Sequence, residues 1–346
     1  MPLAELAESV WYGEGLAARS ARSLLVPASA AYGGVVARIN ARHDAAPPAP
    51  GAIPAMSIGN LTVGGTGKTP VCAWFARQFV RAGAMPAIVL RGYGDDEVHV
   101  HRLLNPDVPV LLGVDRTSQV ALAARRGADV ALLDDAFQHR RAARVADVVL
   151  VSADRWNGRT RLLPAGPFRE PMASLHRATL VLVTVKAAPQ EQVQRAVQAA
   201  RGVTAAPVLT VELQAGRLVP VGAECASPPV SGARVLAVSG IGDPVALHAQ
   251  LYRLGLEVTP LLYADHHAYD AADVRRIVRE ARGTAGVICT LKDAVKLEKY
   301  WQGSVVPLWY LSQTVVPRDG AAVLDASIQS VLAARRGDPF FPDLSR

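Results

Sequence analysis

Short, largely apolar runs alternate with amphipathic stretches along the chain from residue 55 onward. In the first half, the apolar runs predict strands over residues 55–58, 86–90, 109–112, 130–133 and 147–151. Helical spacing of apolar residues predicts one helix after the first strand and another over residues 115–126. Apolar strands that alternate with helices are typical of a parallel sheet covered on both faces. We therefore predict an α/β fold built on a parallel sheet.

The same alternation starts again beyond residue 157. It predicts strands over residues 180–185, 208–213, 234–239, 258–262, 287–290 and 308–312, and helices over residues 190–201, 245–254 and 271–282. This order indicates a second, mostly parallel sheet, and so a second, smaller α/β domain. A last helix, over residues 321–336, is expected to cover the end of the fold.

The turn after the first strand is rich in glycine and ends in Gly67, Lys68 and Thr69, at the start of a helix. Glycines let successive backbone N–H groups approach a polyphosphate, and the helix N-terminus favours negative charge. Lys68 can reach the β- and γ-phosphates, and the Thr69 hydroxyl can bind Mg²⁺. This chain departs from the P-loop pattern G-x-x-x-x-G-K-[ST] at one position, because Thr62 stands where the pattern has its first glycine.

This stretch predicts a nucleoside-triphosphate site in a P-loop NTPase-like domain. The alternative is a tight strand–helix turn that binds no ligand. Besides Lys68 and Thr69, the residues expected to cradle the nucleotide are Thr62, Val63, Gly64, Gly65, Thr66 and Gly67.

A second mark of nucleotide chemistry is the apolar strand that ends in Asp134 and Asp135. A strand that ends in aspartate downstream of a P-loop is the Walker B arrangement, whose carboxylate holds Mg²⁺ directly or through water. We therefore predict that Thr69, Asp134 and Asp135 serve the metal.

The segment from residue 15 to residue 43 carries Arg19, Arg22, Arg38 and Arg42 and no acidic residue. Its apolar residues recur at helical spacing, and Pro27 is expected to kink the helix. A basic helix with an apolar face is typical of a segment that lies in a bilayer interface. Packing on the protein's own core is an equally good interpretation.

Composition narrows the possible partners. The chain has 346 residues, a formal net charge of +7 and a pI near 9.6, which favours an anionic partner. The absence of a long Lys/Arg run and the 5% aromatic content argue against a nucleic-acid groove.

Acidic residues near the N-terminus argue against a signal peptide. The three cysteines, which lack a C-x-x-C pair, indicate buried apolar residues in a reducing compartment.

We predict four segments: an interfacial helical segment (1–44), a P-loop domain (45–153), a second α/β domain (154–315), and a C-terminal helix and tail (316–346). In the second domain, Thr290 to Asp293 is similar to the base-reading N/T-K-x-D pattern, so Asp293 is a candidate contact to adenine. A buried ion pair explains Asp293 equally well.

Six stretches together resemble one family, the tetraacyldisaccharide 4′-kinases, which are lipid A kinases. The resemblance runs over nearly the whole chain, and the block Asp-Asp-x-Phe-Gln-His-Arg-Arg is its most specific part. The stretches cover residues 59–70, 91–94, 134–141, 162–171, 264–267 and 290–296.

The resemblance implies transfer of the ATP γ-phosphoryl group to the 4′-hydroxyl of an acylated disaccharide 1-phosphate, with ATP and Mg²⁺ as cofactors. It makes Lys68 catalytic and Asp96 the general base, with His266 or His267 as the partner of that base. Because the acidic loop is short here, Asp95 is an alternative base. Residues assigned to the acceptor are Arg91, Tyr93, Arg116, Gln138, His139 and Arg169.

The resemblance also implies a peripheral protein on the cytoplasmic face of the bacterial inner membrane, with a lipid substrate, an anionic membrane surface, no nucleic acid and no obligate protein partner. The second functional hypothesis is a P-loop GTPase or ATPase that acts as a switch or a metallochaperone. The lack of a His and Cys ligand cluster in the sequence weighs against a metallochaperone.

Overall fold

The structure is a computed structural model. It describes residues 3–92, 95–222, 227–240, 244–264, 267–302 and 304–335. The helices are α1 (Leu3–Tyr12), α2 (Leu16–Ala45), α3 (Lys68–Arg81), α4 (Asp95–Leu104), α5 (Arg116–Arg125), α6 (Gln190–Arg201), α7 (Pro244–Arg253), α8 (Ala271–Glu280), α9 (Leu291–Trp301) and α10 (Ala321–Arg335), with a 3₁₀ helix at Met172–Arg177.

The strands follow the predicted apolar runs closely. They are β1 (Ala55–Asn60), β2 (Pro86–Leu90), β3 (Val110–Leu112), β4 (Val130–Asp134), β5 (Ala146–Ser152), β6 (Leu180–Val185), β7 (Val208–Pro220), β8 (Arg234–Ser239), β9 (Glu257–Leu262), β10 (Val287–Cys289) and β11 (Leu308–Pro317). The predicted alternation of strand and helix is confirmed.

All eleven strands form one sheet, in the order β3-β2-β4-β1-β5-β6-β7-β11-β10-β8-β9. The prediction of a separate second sheet is therefore wrong. β7 runs past its predicted end to Pro220 and pairs antiparallel with β11, which joins the two halves. The other pairings are parallel. The division into four segments stays a prediction.

The strand order places the predicted nucleotide site at the carboxyl ends of the central strands. Ile58 on β1 lies opposite Asp134 on β4 and Val148 on β5. The turn that follows β1 and the aspartate that ends β4 thus meet at one edge of the sheet, where ligands bind in open α/β folds.

The core under this site contains the C-terminal helix. Phe75 and Phe79 of α3 belong to one buried cluster with Leu132 of β4 and with Leu324 and Ile328 of α10. Arg335, at the end of α10, also forms an ion pair with Asp129, at 2.8 Å. The last helix is thus part of the core of the first half.

The acidic residues 95–97 start helix α4, so the predicted acidic loop is wrong there. Thr290 is likewise the N-cap of helix α9, because its hydroxyl accepts a hydrogen bond from the Asp293 backbone N–H.

Helix α2 lies on the body of the protein along one face and is otherwise exposed. Ser29 donates to the Leu162 carbonyl (2.9 Å), Tyr32 donates to the Arg169 carbonyl (3.1 Å) and Asn40 donates to Glu170 (2.8 Å). Within the described residues, no helix is both long enough and apolar enough to cross a bilayer.

One predicted basic contact of this segment is wrong. Arg22 is 5% exposed, because its guanidinium donates to the Val10 and Gly13 carbonyls at the end of α1. Arg22 therefore holds the two N-terminal helices together and is not available to a headgroup. Arg19, Arg38 and Arg42 are exposed.

Candidate active site

A cavity of about 850 Å³ lies between the glycine-rich loop and the second half of the chain. The predicted loop residues Thr62 to Thr69 all line it, as do Asp134 and Asp135. The opposite wall comes from the second half and includes Leu247, Tyr310 and Gln313. The cavity size is typical of a small-molecule site.

The loop is held in shape by Asn60, the last residue of β1. Asn60 is fully buried; its amide donates to the Thr66 hydroxyl (2.8 Å), and its side-chain oxygen accepts from Lys68 (3.4 Å) and Arg169. Gly67 has φ +88°, and a Cβ there would lie 2.4 Å from Leu213. The backbone conformation thus favours glycine here, and a side chain would also have to displace the Leu213 methyl group.

Thr184 on β6 and Lys186 in the turn after it both contact the loop. The Thr184 hydroxyl donates to the Thr66 carbonyl (2.9 Å), and Lys186 donates to the Gly65 carbonyl (3.4 Å). The Val63 and Thr66 N–H groups donate to the Pro167 and Gly64 carbonyls, so an anion at this helix N-terminus would be bound by the other N–H groups of the loop.

Lys68 and Asp135 form an ion pair in the wall of the cavity, with 3.8 Å between Nζ and Oδ1. Burial lowers the pKa of Lys68, and Asp135 opposes that shift. Desolvation alone would raise the pKa of Asp135, but the positive charges of Lys68 and Arg169 hold this pKa well below its ordinary value. Asp135 is therefore a carboxylate at neutral pH.

The turn at Asp135 is strained and is held by an arginine. Asp135 has φ +49°, in the left-handed region. Arg116 is 2% exposed and donates to the Asp134 carbonyl (3.0 Å) and the Asp135 carbonyl (2.9 Å). Arg116, which was predicted to bind the acceptor, lines the cavity. Its hydrogen bonds to these two carbonyls hold the backbone of the turn at Asp134 and Asp135.

Asp134 fits a cation-binding role. It is 5% exposed, its Oδ2 lies 2.9 Å from Nε2 of His101, and its Oδ1 has no hydrogen-bond partner among the described residues. A buried, unpartnered carboxylate oxygen at a phosphate cavity suits Mg²⁺, which takes oxygen ligands. Thr69, Asp134 and Asp135 are thus together at the predicted position.

The other predicted acceptor residues lie at the same end of the sheet. Arg91, Gln138, His139 and Arg169 line the cavity. Gln138 donates to the Asn60 carbonyl (2.9 Å), and Arg169 pairs with Asp135 (2.9 Å). Burial, together with Arg116 and other arginines, lowers the pKa of His139 to about 4. Tyr93 lies outside the described residues.

Asp96 and His267 are not brought together, and Asp96 is not among the residues that line the cavity. Asp96 pairs with Lys296 of α9 (3.3 Å), and the next residue, Glu97, pairs with Lys292 (3.4 Å). The expected Asp96 contact is wrong for His267, whose Nε2 lies 2.8 Å from Asp273. His266 lies outside the described residues.

Asp293 is completely buried and does not line the cavity, so the predicted adenine contact is wrong. Among the described residues Asp293 forms no ion pair either; its carboxylate accepts from Gly240 N–H (3.1 Å), the Tyr269 hydroxyl (3.1 Å) and the Thr290 hydroxyl (2.7 Å). Asp293 ties the start of α9 to β8. The short pattern was misleading because its Thr and Asp form a helix N-cap.

Sequence reasoning missed several residues of the site. Asn60 stood next to the glycine-rich turn, and a buried amide at the end of a P-loop strand is a signal that was available. Lys186 and His101 could not be found, because only the fold brings them to the site. Cys72 and Cys289 are buried, as predicted, and Cys225 lies outside the described residues.

Comparison with known proteins points to one family. The family model for tetraacyldisaccharide-1-P 4′-kinase matches residues 21–107 and 94–333. The tetraacyldisaccharide 4′-kinase of Halorhodospira halophila is 34% identical, over 94% of this chain and 98% of its own length. That of Chlorobaculum parvum is also 34% identical, over 77% of this chain and 81% of its own length.

Among solved structures, LpxK from Aquifex aeolicus in complex with ATP has a TM-score of 0.70 and 25% identity, and the match covers 90% of this chain and 99% of that one. Fold and sequence thus agree over nearly the full length of both proteins. This chain belongs to the tetraacyldisaccharide-1-P 4′-kinase family.

Proposed function

We propose that this protein transfers the γ-phosphoryl group of ATP to the 4′-hydroxyl of a tetraacyldisaccharide 1-phosphate lipid. The observation that carries the proposal is the convergence of Lys68, Thr69, Asp134 and Asp135 on one cavity in a chain of this kinase family. Family membership favours the kinase over the GTPase switch or metallochaperone.

The P-loop half of the cavity suits the donor. Loop N–H groups and Lys68 neutralise charge on the β- and γ-phosphates, and the positive charge of Lys68 opposes the charge that develops during transfer. Thr69, Asp134 and Asp135 would hold Mg²⁺, which supplies further charge neutralisation between the phosphates. Asn60 accepts a hydrogen bond from Lys68, and Arg169 forms an ion pair with Asp135, so both charged side chains are held in position.

We assign the base to Asp96, which the family resemblance singles out; its side chain is not in the cavity lining but is paired with Lys296, which is. The acceptor oxygen forms a bond to the γ-phosphorus while the bond from that phosphorus to the β–γ bridging oxygen breaks, and ADP leaves with the electron pair. The hydroxyl proton passes to the Asp96 carboxylate. Lys296 orients this carboxylate, and His266 is the remaining histidine candidate to share the proton. Asp95 stays the alternative base.

We propose that helix α2 brings the enzyme to its lipid. Leu24 (81% exposed), Val35 (57%) and Ile39 (47%) point into solvent on the same helix as the exposed Arg38 and Arg42. Exposed apolar side chains beside basic ones suit an anionic bilayer interface, here assigned to the cytoplasmic face of the inner membrane. The polar contacts of α2 with the body keep its other face fixed.

The test is transfer of label from [γ-³²P]ATP to a disaccharide 1-phosphate lipid in detergent, with release of phosphate followed in parallel. A kinase labels the lipid and releases little phosphate without it. Phosphate release that is independent of the lipid, with no labelled product, would support the switch-type NTPase instead.

A further inference from the structure

Three buried side chains meet beneath the P-loop helix: Cys72 of α3, His101 of α4 and Asp134 of β4. Their Sγ, ring nitrogen and carboxylate oxygen lie within 4.8 Å of one another, and all three residues are buried. The closest contact is the 2.9 Å between His101 Nε2 and Asp134 Oδ2. Neither the P-loop pattern nor the predicted catalytic residues include His101.

The direction of this contact follows from its chemistry. An ionised carboxylate has only acceptors, so Nε2 carries the hydrogen and donates it to Oδ2. That bond fixes the rotation of the carboxylate. Oδ1 is left without a hydrogen-bond partner in the part of the chain that the structure describes, and Asp134 lines the phosphate cavity.

Both partners sit on well-fixed elements. β4 is paired on one side with β1 and on the other with β2. α4 is tied to the P-loop helix by Asn105, whose amide donates to the Ala73 carbonyl (3.2 Å). The first turn of α4 is linked to α9 by two ion pairs, Asp96 with Lys296 and Glu97 with Lys292. The donor at His101 is therefore held against the carboxylate from two directions.

Cys72 contributes packing rather than charge. Burial, with a smaller effect of Asp134, raises the pKa of the Cys72 thiol well above its ordinary value. Of the three side chains, Asp134 is the one that lines the phosphate cavity. The hydrogen bond from His101 is then the main polar restraint on it.

We propose that His101 is a positioning residue for the metal site: its Nε2–H holds Asp134 so that Oδ1 faces the Mg²⁺ of bound MgATP. The inference rests on the proposed kinase function. Partners of metal ligands generally fix ligand orientation, and their loss typically costs 10- to 100-fold in metal affinity or activity.

The test compares three variants with the wild type. His101→Leu removes the donor, and His101→Gln keeps an N–H near the position of Nε2. Asn105→Ala is the matched control, because it removes a buried hydrogen bond between α4 and the P-loop helix without touching Asp134. Thermal unfolding shows how far each change affects the fold.

The first measurement is ATP binding by titration calorimetry, in excess Mg²⁺ and in EDTA. For His101→Leu, we expect the Mg²⁺-dependent gain in ATP affinity to fall at least 10-fold, with binding in EDTA unchanged. The Mg²⁺ concentration that half-activates lipid phosphorylation should rise by a similar factor. His101→Gln should stay within a few-fold of the wild type, and Asn105→Ala should need no extra Mg²⁺.

Equal Mg²⁺ dependence in the wild type and His101→Leu would overturn the proposal, as would equal shifts in His101→Leu and Asn105→Ala. If His101→Leu fails to fold, His101→Gln is compared with His101→Asn, whose amide is too short to reach Asp134; the same Mg²⁺ dependence in both would overturn it. Failure of the kinase proposal is distinguishable, because then the wild type binds MgATP and labels no lipid.

Discussion

Asp96 on α4 and Lys296 on α9 form an ion pair with 3.3 Å between the carboxylate oxygen and Nζ. The pair links an element of the P-loop half to an element of the second half. Both side chains are largely buried. The proposed base is therefore oriented by a residue that lies 200 positions away in the chain.

Asp96→Asn should lower kcat for lipid phosphorylation by about 10²–10⁴, the usual contribution of a general base, with little change in the KM for ATP. Lys296→Met keeps the carboxylate and removes only its partner, so its loss should be smaller. Steady-state kinetics with the lipid acceptor checks both. Normal turnover in Asp96→Asn together with an inactive Asp95→Asn would move the base to Asp95.

The two histidines should behave differently in double-mutant cycles with Asp96. His267 is held by Asp273, so His267→Ala should combine additively with Asp96→Asn in kcat. His266→Ala should cause a loss that is not additive with Asp96→Asn, because the two would act as one unit. The kcat values of the wild type, the three single variants and the two double variants decide this. Full additivity for His266 would remove it from the proton-transfer step.

Lys68→Ala should lower kcat by at least about 10²-fold, because a preorganised charge at the transferring phosphoryl group is lost. The fold should survive, since Lys68 faces the cavity. Lys299→Ala is the control: Lys299 is an exposed lysine that stacks on Tyr300, outside the cavity. Turnover and thermal unfolding are measured on both. A folded Lys68→Ala protein with wild-type turnover would contradict the P-loop assignment.

Much of the fold could be predicted, because buried parallel strands leave a continuous apolar signal. The run at residues 180–185, for example, became β6 without a change of boundary. The single sheet could not be predicted in the same way. It depends on the extension of β7 to Pro220, where exposed and half-buried residues alternate, and on pairing with a strand some hundred residues later.

The residues of the site likewise fall into those that the sequence predicts and those that only the fold reveals. The P-loop and Asp134 were predictable, because their spacing along the chain reports the chemistry directly. His101 and Lys186 were not, because nothing near them in sequence indicates phosphate or metal. Asp293 shows the opposite error: a local Thr-x-x-Asp pattern serves a helix N-cap as well as it serves base recognition.

Acid should destabilise the protein in part through His139. The pKa of His139 is lowered to about 4 in the folded protein, whereas an unfolded histidine titrates near 6.5. Between these values the unfolded chain binds more protons, so the free energy of unfolding falls as the pH falls, by up to about 1.4 kcal/mol per pH unit. Above about pH 6.5 this contribution is fully present.

Denaturant unfolding of wild type and His139→Gln at pH 7 and pH 5 measures this effect. His139→Gln should lose less stability between the two pH values. His176→Gln, at an exposed histidine of the 3₁₀ helix, is the control and should retain the wild-type dependence. Identical pH dependence in His139→Gln and wild type would show that His139 does not carry the effect.

Membrane binding should depend on the outward residues of α2. Leu24→Glu and Ile39→Glu should each weaken binding to anionic vesicles about tenfold or more, because an apolar contact is lost and a repelled charge is added. Val305→Glu, at a residue that is 92% exposed on the second half, is the matched control. Vesicle co-sedimentation at low and high salt gives the result. Equal binding by all three variants would place the anchor outside α2.

Helix α10 has a consequence for how the protein is made. Because Leu324 and Ile328 complete the cluster that also contains Phe75 and Phe79, the nucleotide-binding half lacks part of its interior until the last helix has left the ribosome. The helix that carries the P-loop thus gains its full packing only after residues 321–335 have been synthesised. A nascent chain interrupted before residue 321 would carry the whole P-loop sequence above an exposed apolar surface, as a target for chaperones and proteases rather than as a working ATP site.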